Sequence, residues 1–214
     1  MPLFALTDEL IFPQAHLAGA DGLLAIGGDL KLERLLEAYS HGIFPWYSEP
    51  PVLWWSPDPR LVLFPPELII SNSMKKCMRK NTFHFTMNRA FEKVIHACKT
   101  VYRPSQQGTW ITDELEAAFV NLHYNGYAQS GEAWLENELV GGLYGLRLGN
   151  IFFAESMFSL ETNASKFVLI HFVKQLQNEG VILIDCQVYS SHLLSLGARE
   201  ISRSDFIKFL ELHC

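Results

Sequence analysis

The feature that most constrains the fold is a run of three strand patterns within residues 127–155. The predicted strands are Tyr127–Trp134, Leu139–Leu146 and Ile151–Glu155. Glu136-Asn137 and Gly149-Asn150 supply a turn after the first and the second of them. Short turns with these residue types join neighbouring antiparallel strands. An antiparallel meander is therefore expected in the second half of the chain.

A helix pattern and an apolar strand follow the meander. The helix is expected over about residues 164–179, and Gly180 ends it. Val181–Ile184 is apolar at every position, which is typical of a strand that is buried on both faces. A meander, a helix and a further buried strand describe an α+β domain, and an acetyltransferase-like layout is one candidate for it.

The first sixty residues have a different character, because glycine and proline separate short elements there. One helix is predicted between Asp29, which can cap its N-terminus, and Gly42, which ends it. The Pro-rich segment Pro57–Arg60 follows. We therefore predict a small N-terminal α/β domain over residues 1–60 and a larger domain over residues 61–214.

Composition excludes several classes of protein. Hydrophobic residues make up 49% of the 214 residues, enough to bury a core, and the net charge of −6 argues against a protein that coats nucleic acid. The four cysteines form no CxxC pair and no metal-like spacing with the eight histidines, so neither a disulfide framework nor a metal site is expected. With no secretory signal and no membrane span in the sequence, we expect a cytoplasmic protein with reduced thiols.

Polar side chains appear where two apolar strands end. Asp185 and Gln187 follow Val181–Ile184 and are two residues apart, so they are expected on the same side of the strand. Taken alone, the end of a strand is a sufficient explanation for both. Glu155 is flanked by aromatic and methionine side chains, so it needs a cationic partner or a raised pKa. An acid that simply reaches water is the equal alternative.

Two further groups of residues are of types that bind nucleic acid. Four basic residues fall on one predicted helix: Lys75, Lys76, Arg79 and Lys80. In an acidic protein this concentration suggests contact with phosphates, and a solvated basic surface is the alternative. Trp46 and Trp110 each lie in a turn-like context, where an indole can stack on a nucleobase or pack between domains.

Short segments with recognisable spacing run from about residue 12 to the end of the chain. They are Asp21–Leu30, Gly42–Trp46, Leu53–Arg60, Gly108–Thr112, Leu139–Gly142, Glu155–Ser159, Asn163–Lys166, Asp185–Gln187 and Ser195–Ala198. Each is weak alone, but in this order they resemble one family, the bacterial leucyl/phenylalanyl-tRNA–protein transferases. The chain departs from the family pattern at Ser190, near which an asparagine is expected.

The resemblance implies a fold and a reaction. The fold is a small N-terminal domain followed by an acetyltransferase-like (GNAT) domain. The reaction moves Leu or Phe from aminoacyl-tRNA to the N-terminal Arg or Lys of a protein and marks that protein for degradation. Met is also expected as a donor, because it is unbranched at Cβ like Leu and Phe. The donor ester is already activated, so no cofactor or metal is expected, and a monomer is expected.

The resemblance also implies roles for individual residues. Asp185 would polarise Gln187, which orients the acceptor amine and helps to deprotonate it, and Glu155 would anchor the charge of the acceptor. Trp46 and Trp110 would hold the terminal adenosine, while the basic helix takes the acceptor-stem phosphates. The donor side chain would enter a pocket formed by Leu143, Phe152, Met157, Leu169, Phe172, Leu176 and Ile184. Ordinary core packing is the alternative for all seven.

Two functions from other classes fit part of the sequence. An acetyl-CoA-dependent N-acetyltransferase needs a Gly-rich loop at the start of the central helix, and the segment Ser159–Ser165 has no glycine. A non-catalytic tRNA- or RNA-binding module would explain the basic helix and the tryptophans. It would leave Glu155, Asp185 and Gln187 without a role.

Overall fold

The structure is a computed structural model that describes residues 3–101 and 109–214. The strands are β1 (Phe4–Leu6), β2 (Leu23–Gly27), β3 (Phe44–Pro45), β4 (Leu53–Trp55), β5 (Arg60–Leu63), β6 (His84–Met87), β7 (Ala128–Leu135), β8 (Glu138–Leu148), β9 (Ile151–Ser159), β10 (Leu183–Gln187) and β11 (Arg199–Ile201). The α-helices are α1 (Leu32–Ser40), α2 (Asn72–Arg79), α3 (Phe91–Thr100), α4 (Asp113–Tyr124), α5 (Ala164–Asn178), α6 (Ser191–Leu194) and α7 (Arg203–His213). Among the helices of these two ranges, none has the combination of length and hydropathy that a membrane span requires.

The larger sheet has seven strands in the order β11-β5-β10-β9-β8-β7-β6. The predicted meander is present as β7, β8 and β9, which pair antiparallel. Strands β9 and β10 are parallel. A parallel pair needs a long crossover connection, and α5 supplies it. The predicted α+β class is confirmed.

Alternating side chains of the larger sheet face two different layers. On β9, Phe152 packs with the apolar face of α5, whereas Phe153 packs with side chains from α3 and α4. This follows from the two-residue period of a strand. The helix α5 therefore covers this face of the sheet, and an apolar layer forms between the sheet and that helix.

The smaller sheet has four strands in the order β1-β2-β4-β3. Asp29 does not cap α1 as the sequence predicts, because Lys31 is the N-cap and the helix begins at Leu32. The Asp29 carboxylate instead accepts hydrogen bonds from the backbone nitrogen of Lys31 at 3.0 Å and from Nε of Arg34 at 3.2 Å. Arg34 is fully buried and also donates to two carbonyl oxygens near the start of the chain.

The chain passes from the smaller sheet to the larger one between Trp55 and Arg60. One hydrophobic cluster continues across this point, since it includes Trp54 of the smaller sheet and Phe153 and Phe206 of the larger part. The division into two domains at residue 60 stays a prediction. The shared core means that side chains from both sheets can contribute to one site.

Candidate active site

A cavity of about 610 Å³ lies where the parallel strands β9 and β10 separate. The two strands pair only as far as Asp185 beside Phe153. Beyond this point the lining includes residues 154–157 on β9 and residues 186–190 at the end of β10. The gap between the two strands therefore creates the floor of the cavity.

The apolar wall of the cavity consists largely of residues that the sequence analysis assigned to a donor pocket. Those that line it are Leu143, Phe152, Met157, Leu169, Phe172 and Ile184. Leu176 does not line it and is fully buried in the core beneath α5. The reason is helix geometry: seven residues beyond Leu169, α5 has advanced by roughly 10 Å and has passed the cavity.

Two irregularities in the sheet bring Glu155 and Gln187 together. The register between β8 and β9 shifts so that Glu155 is an extra residue, and the register between β10 and β5 shifts between Asp185 and Gln187. Gln187 also has a φ of 64°, in the left-handed region. Bulges of this kind redirect side chains. As a result, Nε2 of Gln187 donates a hydrogen bond to Oε1 of Glu155 at 2.8 Å.

The carboxyl group of Glu155 is satisfied on one side only. Its Oε1 also accepts a hydrogen bond of 2.8 Å from the hydroxyl of Tyr39, which comes from α1. Its Oε2 is buried and has no hydrogen-bond partner among the described residues. The lining of the cavity therefore includes a carboxyl group with one buried oxygen that has no partner among the described residues.

Burial raises the pKa of Glu155 to about 8, and the negative charge of Asp185 adds to this effect, while the hydrogen bonds from Tyr39 and Gln187 act in the opposite direction. Burial and the neighbouring Glu155 also raise the pKa of Tyr39 well above its ordinary value. Tyr39 thus stays protonated and acts as a donor. The sequence expectation of a poorly solvated acid at position 155 agrees with this environment.

Asp185 differs from the sequence expectation. It is fully buried and does not line the cavity, and its two oxygens accept hydrogen bonds from Arg60 at 2.8 and 2.7 Å. Its Oδ1 also accepts the backbone N–H of Gln187 at 2.9 Å. Because the bulge interrupts the strand alternation, Asp185 contacts the backbone of Gln187 and not its side-chain amide.

Cys186, the residue between them, lines the cavity and has a free thiol. Burial and the charge of Asp185 raise the pKa of this thiol far above its ordinary value. A thiol that keeps its proton is a poor nucleophile. A covalent intermediate on Cys186 is therefore not supported by its surroundings.

Both predicted nucleobase-binding tryptophans line the cavity. Trp46 is 40% exposed and packs edge-to-face against Trp55, with ring centroids 5.7 Å apart. Trp110 is half-buried, and Gly108, which belongs to the same matching segment, lies outside the described residues. The two indoles therefore flank the cavity, where a planar group could reach them.

Ser190, near which an asparagine was expected from the resemblance, also lines the cavity. Its hydroxyl caps α6 by accepting the backbone N–H of Leu193 at 3.4 Å. Serine and asparagine are both favoured at this helix position. Serine at position 190 therefore caps this helix as an asparagine would.

The four basic residues lie on or just after α2, and all are exposed. None of Lys75, Lys76, Arg79 and Lys80 lines the cavity, and none forms an ion pair within the described part of the chain. They form an exposed basic surface separate from the cavity. Sequence reasoning missed Tyr39 and Arg60, which reach the site from α1 and from the start of β5.

The cavity combines an apolar wall with a buried carboxyl group that is bonded to the amide of Gln187, an arrangement typical of the substrate site of an enzyme. The profile of the family described as leucyl/phenylalanyl-tRNA protein transferase matches residues 62–211, and the profile of its N-terminal domain matches residues 28–58. The chain belongs to this family of aminoacyltransferases.

Relatives with the name leucyl/phenylalanyl-tRNA–protein transferase match over nearly the whole chain. The protein from Syntrophobacter fumaroxidans is 57% identical over 98% of this chain and 90% of its own length. The protein from Christiangramia forsetii is 55% identical over 97% of this chain and 100% of its own length.

Solved structures with much lower sequence identity are also similar. A GCN5-related N-acetyltransferase from Kribbella flavida has a TM-score of 0.44 and 8% identity, over 78% of this chain and 60% of that chain. L-PGS from Bacillus licheniformis has a TM-score of 0.43 and 11% identity, over 78% of this chain and 54% of that chain.

Proposed function

We propose that this chain transfers Leu, Phe or Met from aminoacyl-tRNA to the N-terminal Arg or Lys of a protein and so marks that protein for degradation. The observation that carries the proposal is the cavity, whose lining combines an apolar wall with the carboxyl group of Glu155, one oxygen of which has no partner among the described residues. The name of its relatives supports the charged tRNA as donor and a protein as acceptor.

The donor side chain would occupy the apolar wall between β9, β10 and α5. Phe152 and Phe172 meet there edge-to-face, with ring centroids 5.0 Å apart. An unbranched Cβ lets Leu, Phe and Met enter such a recess, whereas Ile and Val would crowd its entrance. Trp46 and Trp110, at the same cavity, would hold the terminal adenosine by stacking.

The acceptor amine would bind at the polar end of the cavity. Glu155 supplies the one carboxyl group among the described lining residues. Its Oε2 has no hydrogen-bond partner among the described residues, and the ammonium group of the acceptor would donate a hydrogen bond to it. Gln187, bonded to the other oxygen, would keep the carboxyl group oriented toward the amine. In its ionised form the carboxyl group would favour an acceptor that begins with Arg or Lys.

Glu155 would also transfer the one proton that moves during the reaction. The amine nitrogen bonds to the ester carbonyl carbon, the bond from that carbon to the ribose oxygen breaks, and one proton passes from the amine to this oxygen. The pKa of Glu155 is about 8, and that of a free α-amine is about 7.7–8.0. Matched pKa values favour proton exchange, so Glu155 would take the amine proton and return it to the leaving oxygen.

A direct assay tests the function. Labelled Leu, Phe, Met and Val are supplied on tRNA to peptides that differ only in an N-terminal Arg, Lys or Ala, and acetyl-CoA is supplied as a competing donor. We expect transfer of Leu, Phe and Met to the Arg and Lys peptides only. Acetylation of the peptides, or binding of tRNA without any transfer, would contradict the proposal and support one of the two other classes.

The exposed basic surface on α2 is expected to bind the phosphates of the tRNA. Charge reversal of Lys76, Arg79 and Lys80 should weaken tRNA binding. The slope of log Kd against the logarithm of the salt concentration should decrease by about one for each phosphate contact that is lost. Binding is measured by fluorescence anisotropy from low to moderate salt.

A control variant separates local contact from net charge. Reversal of Lys31, Lys93 and Lys208 makes the same change in net charge at exposed positions on other elements. This control should leave the salt slope close to that of the unmodified protein. Equal slopes for all three proteins would show that α2 is an ordinary solvated surface.

A further inference from the structure

We infer that Arg60 is a positioning residue that acts through Asp185 on the backbone of Gln187. The inference rests on the proposed function, because it assumes that Gln187 orients the carboxyl group that receives the amine. Arg60 lies at the start of β5 and Asp185 near the end of β10. The contact between them therefore fixes two strands at the floor of the cavity.

The surroundings of Arg60 hold its guanidinium in one orientation. Nε and Nη2 bond to the two oxygens of Asp185, and Nη1 donates to the carbonyl oxygen of Gly42 at 3.1 Å. The aromatic rings of Phe44 and Phe206 lie 4.8 and 4.6 Å from the guanidinium carbon. The group is fully buried, and arginine does not lose its proton in proteins. Arg60 is thus a permanent, immobile cation.

Because Arg60 is fixed, the carboxylate of Asp185 is fixed as well. Its carboxylate is bound at both oxygens by Arg60, so it is a stationary hydrogen-bond acceptor. The backbone N–H of Gln187 bonds to this acceptor at a residue whose φ is 64°. Such backbone angles persist only where surrounding contacts hold them. The contact series from Arg60 through Asp185 to Gln187 therefore sets the direction of the side-chain amide toward Glu155.

The alternative is that the ion pair only stabilises the fold. Replacement of a buried ion pair by apolar residues of similar size often leaves stability unchanged, whereas removal of one partner does not. The double variant Arg60→Met/Asp185→Leu therefore separates the two explanations, because it removes the acceptor for Gln187 without leaving a buried charge. Arg60→Lys is a second variant, which keeps the charge balanced but cannot bond both oxygens in parallel.

We expect kcat for Leu transfer to fall ten- to a hundredfold in the double variant, since small displacements of a reacting group cost this much. The KM for charged tRNA should not change, because neither Arg60 nor Asp185 lines the cavity that would hold its aminoacyl end. Arg60→Lys should show a smaller loss of kcat with the same KM. The folded fraction is measured by near-ultraviolet circular dichroism, and kcat is expressed per folded molecule. Arg34→Met, which removes a buried arginine from α1, is the matched control and should lower stability without lowering this kcat.

A mutant cycle with Gln187→Ala tests whether Arg60 acts through Gln187. In the Gln187→Ala background, the changes at positions 60 and 185 should cause no further loss of kcat. If the losses of kcat were fully additive, the inference would be overturned. It would also be overturned if Arg60→Lys and the double variant had a normal kcat while Gln187→Ala was slow. Full activity of Gln187→Ala would instead refute the assigned role of Gln187 in the proposed function, and the inference with it.

Discussion

Replacement of Glu155 by glutamine is expected to slow peptide-bond formation by about a hundredfold to ten-thousandfold, the usual contribution of one general acid–base group. Glutamine keeps the size of the side chain and a carbonyl oxygen that can accept from Tyr39, but it cannot take a proton. Binding of charged tRNA should be unchanged. Single-turnover transfer of Leu to an Arg peptide, with saturating enzyme, measures the effect.

The rate in the unmodified protein should rise with pH through about 8, because the carboxylate form of Glu155 is required. The α-amine loses its proton in the same range, so two ionisations contribute to the rise. In Glu155→Gln only the ionisation of the amine remains. An unchanged pH profile in the variant would remove Glu155 from the proton transfer.

Stability provides an independent measure of the same pKa. Between about pH 4.5 and pH 8 the folded protein holds a proton at Glu155 that the unfolded chain releases, so the free energy of unfolding falls as pH rises through this window. Glu155→Gln should abolish that decrease. The pKa values of His171 and His192 are lowered in the folded protein, so these residues make the free energy of unfolding rise with pH below about pH 6.5. Both histidines are present in Glu155→Gln, so their effect is the same in the two proteins. Urea unfolding at several pH values measures the difference.

A second buried glutamate serves as the control. Glu132 on β7 is fully buried and accepts hydrogen bonds from the hydroxyls of Thr86 and Ser130, and it does not line the cavity. Glu132→Gln should leave transfer per folded molecule and its pH profile unchanged. A loss in this control equal to that of Glu155→Gln would show that the rate responds to any disturbance of the sheet.

Substitution of Phe172 by alanine is expected to change donor selectivity as well as stability. Phe172 is only 1% exposed, packs against Phe152 and lines the cavity. Loss of the ring should cost about 3–5 kcal/mol of unfolding free energy. Loss of an apolar contact with the donor should cost about tenfold to two-hundredfold in kcat/KM. Leu should lose most, because a small side chain cannot fill the enlarged recess, and a bulky donor such as Trp should become acceptable.

Leu176 provides a matched control on the same helix. It lies one turn beyond Phe172 on α5 and is fully buried, but it does not line the cavity. Leu176→Ala should cost about 2–5 kcal/mol of stability and leave the order of the donors unchanged. Transfer of Leu, Phe, Met and Trp is measured beside thermal unfolding. If Phe172→Ala lowers the melting temperature but keeps the same donor order, Phe172 is packing and not part of the donor site.

Much of the sheet and of the donor pocket could be predicted because the relevant signals are local. Alternation along β9 assigns Phe152 to the face covered by α5, and helical spacing places Leu169 and Phe172 on the inner side of α5. These signals depend on residues within a few positions of one another. The same signals wrongly placed Leu176 in the donor pocket. Periodicity indicates which side of a helix faces the core, but it does not indicate where along the helix a cavity ends.

The polar part of the site could not be predicted in the same way. Tyr39 and Glu155 are 116 positions apart, and Arg60 and Asp185 are 125 positions apart. No local pattern joins residues at such separations. The bulge after Asp185 also breaks the two-residue period from which Asp185 and Gln187 were expected to share one side. Side-chain direction at a bulge depends on the partner strand, which the local sequence does not contain.

The hydroxyl of Tyr39 limits how freely the two parts of this chain could be exchanged in evolution. It is carried by a helix that follows β2 of the smaller sheet, yet it supplies one of the two hydrogen bonds to Oε1 of Glu155. A larger sheet grafted onto an unrelated N-terminal part would keep its recess and its glutamate but lose this donor. The smaller sheet is therefore not an interchangeable module, because any replacement would have to present a buried hydroxyl at the same point.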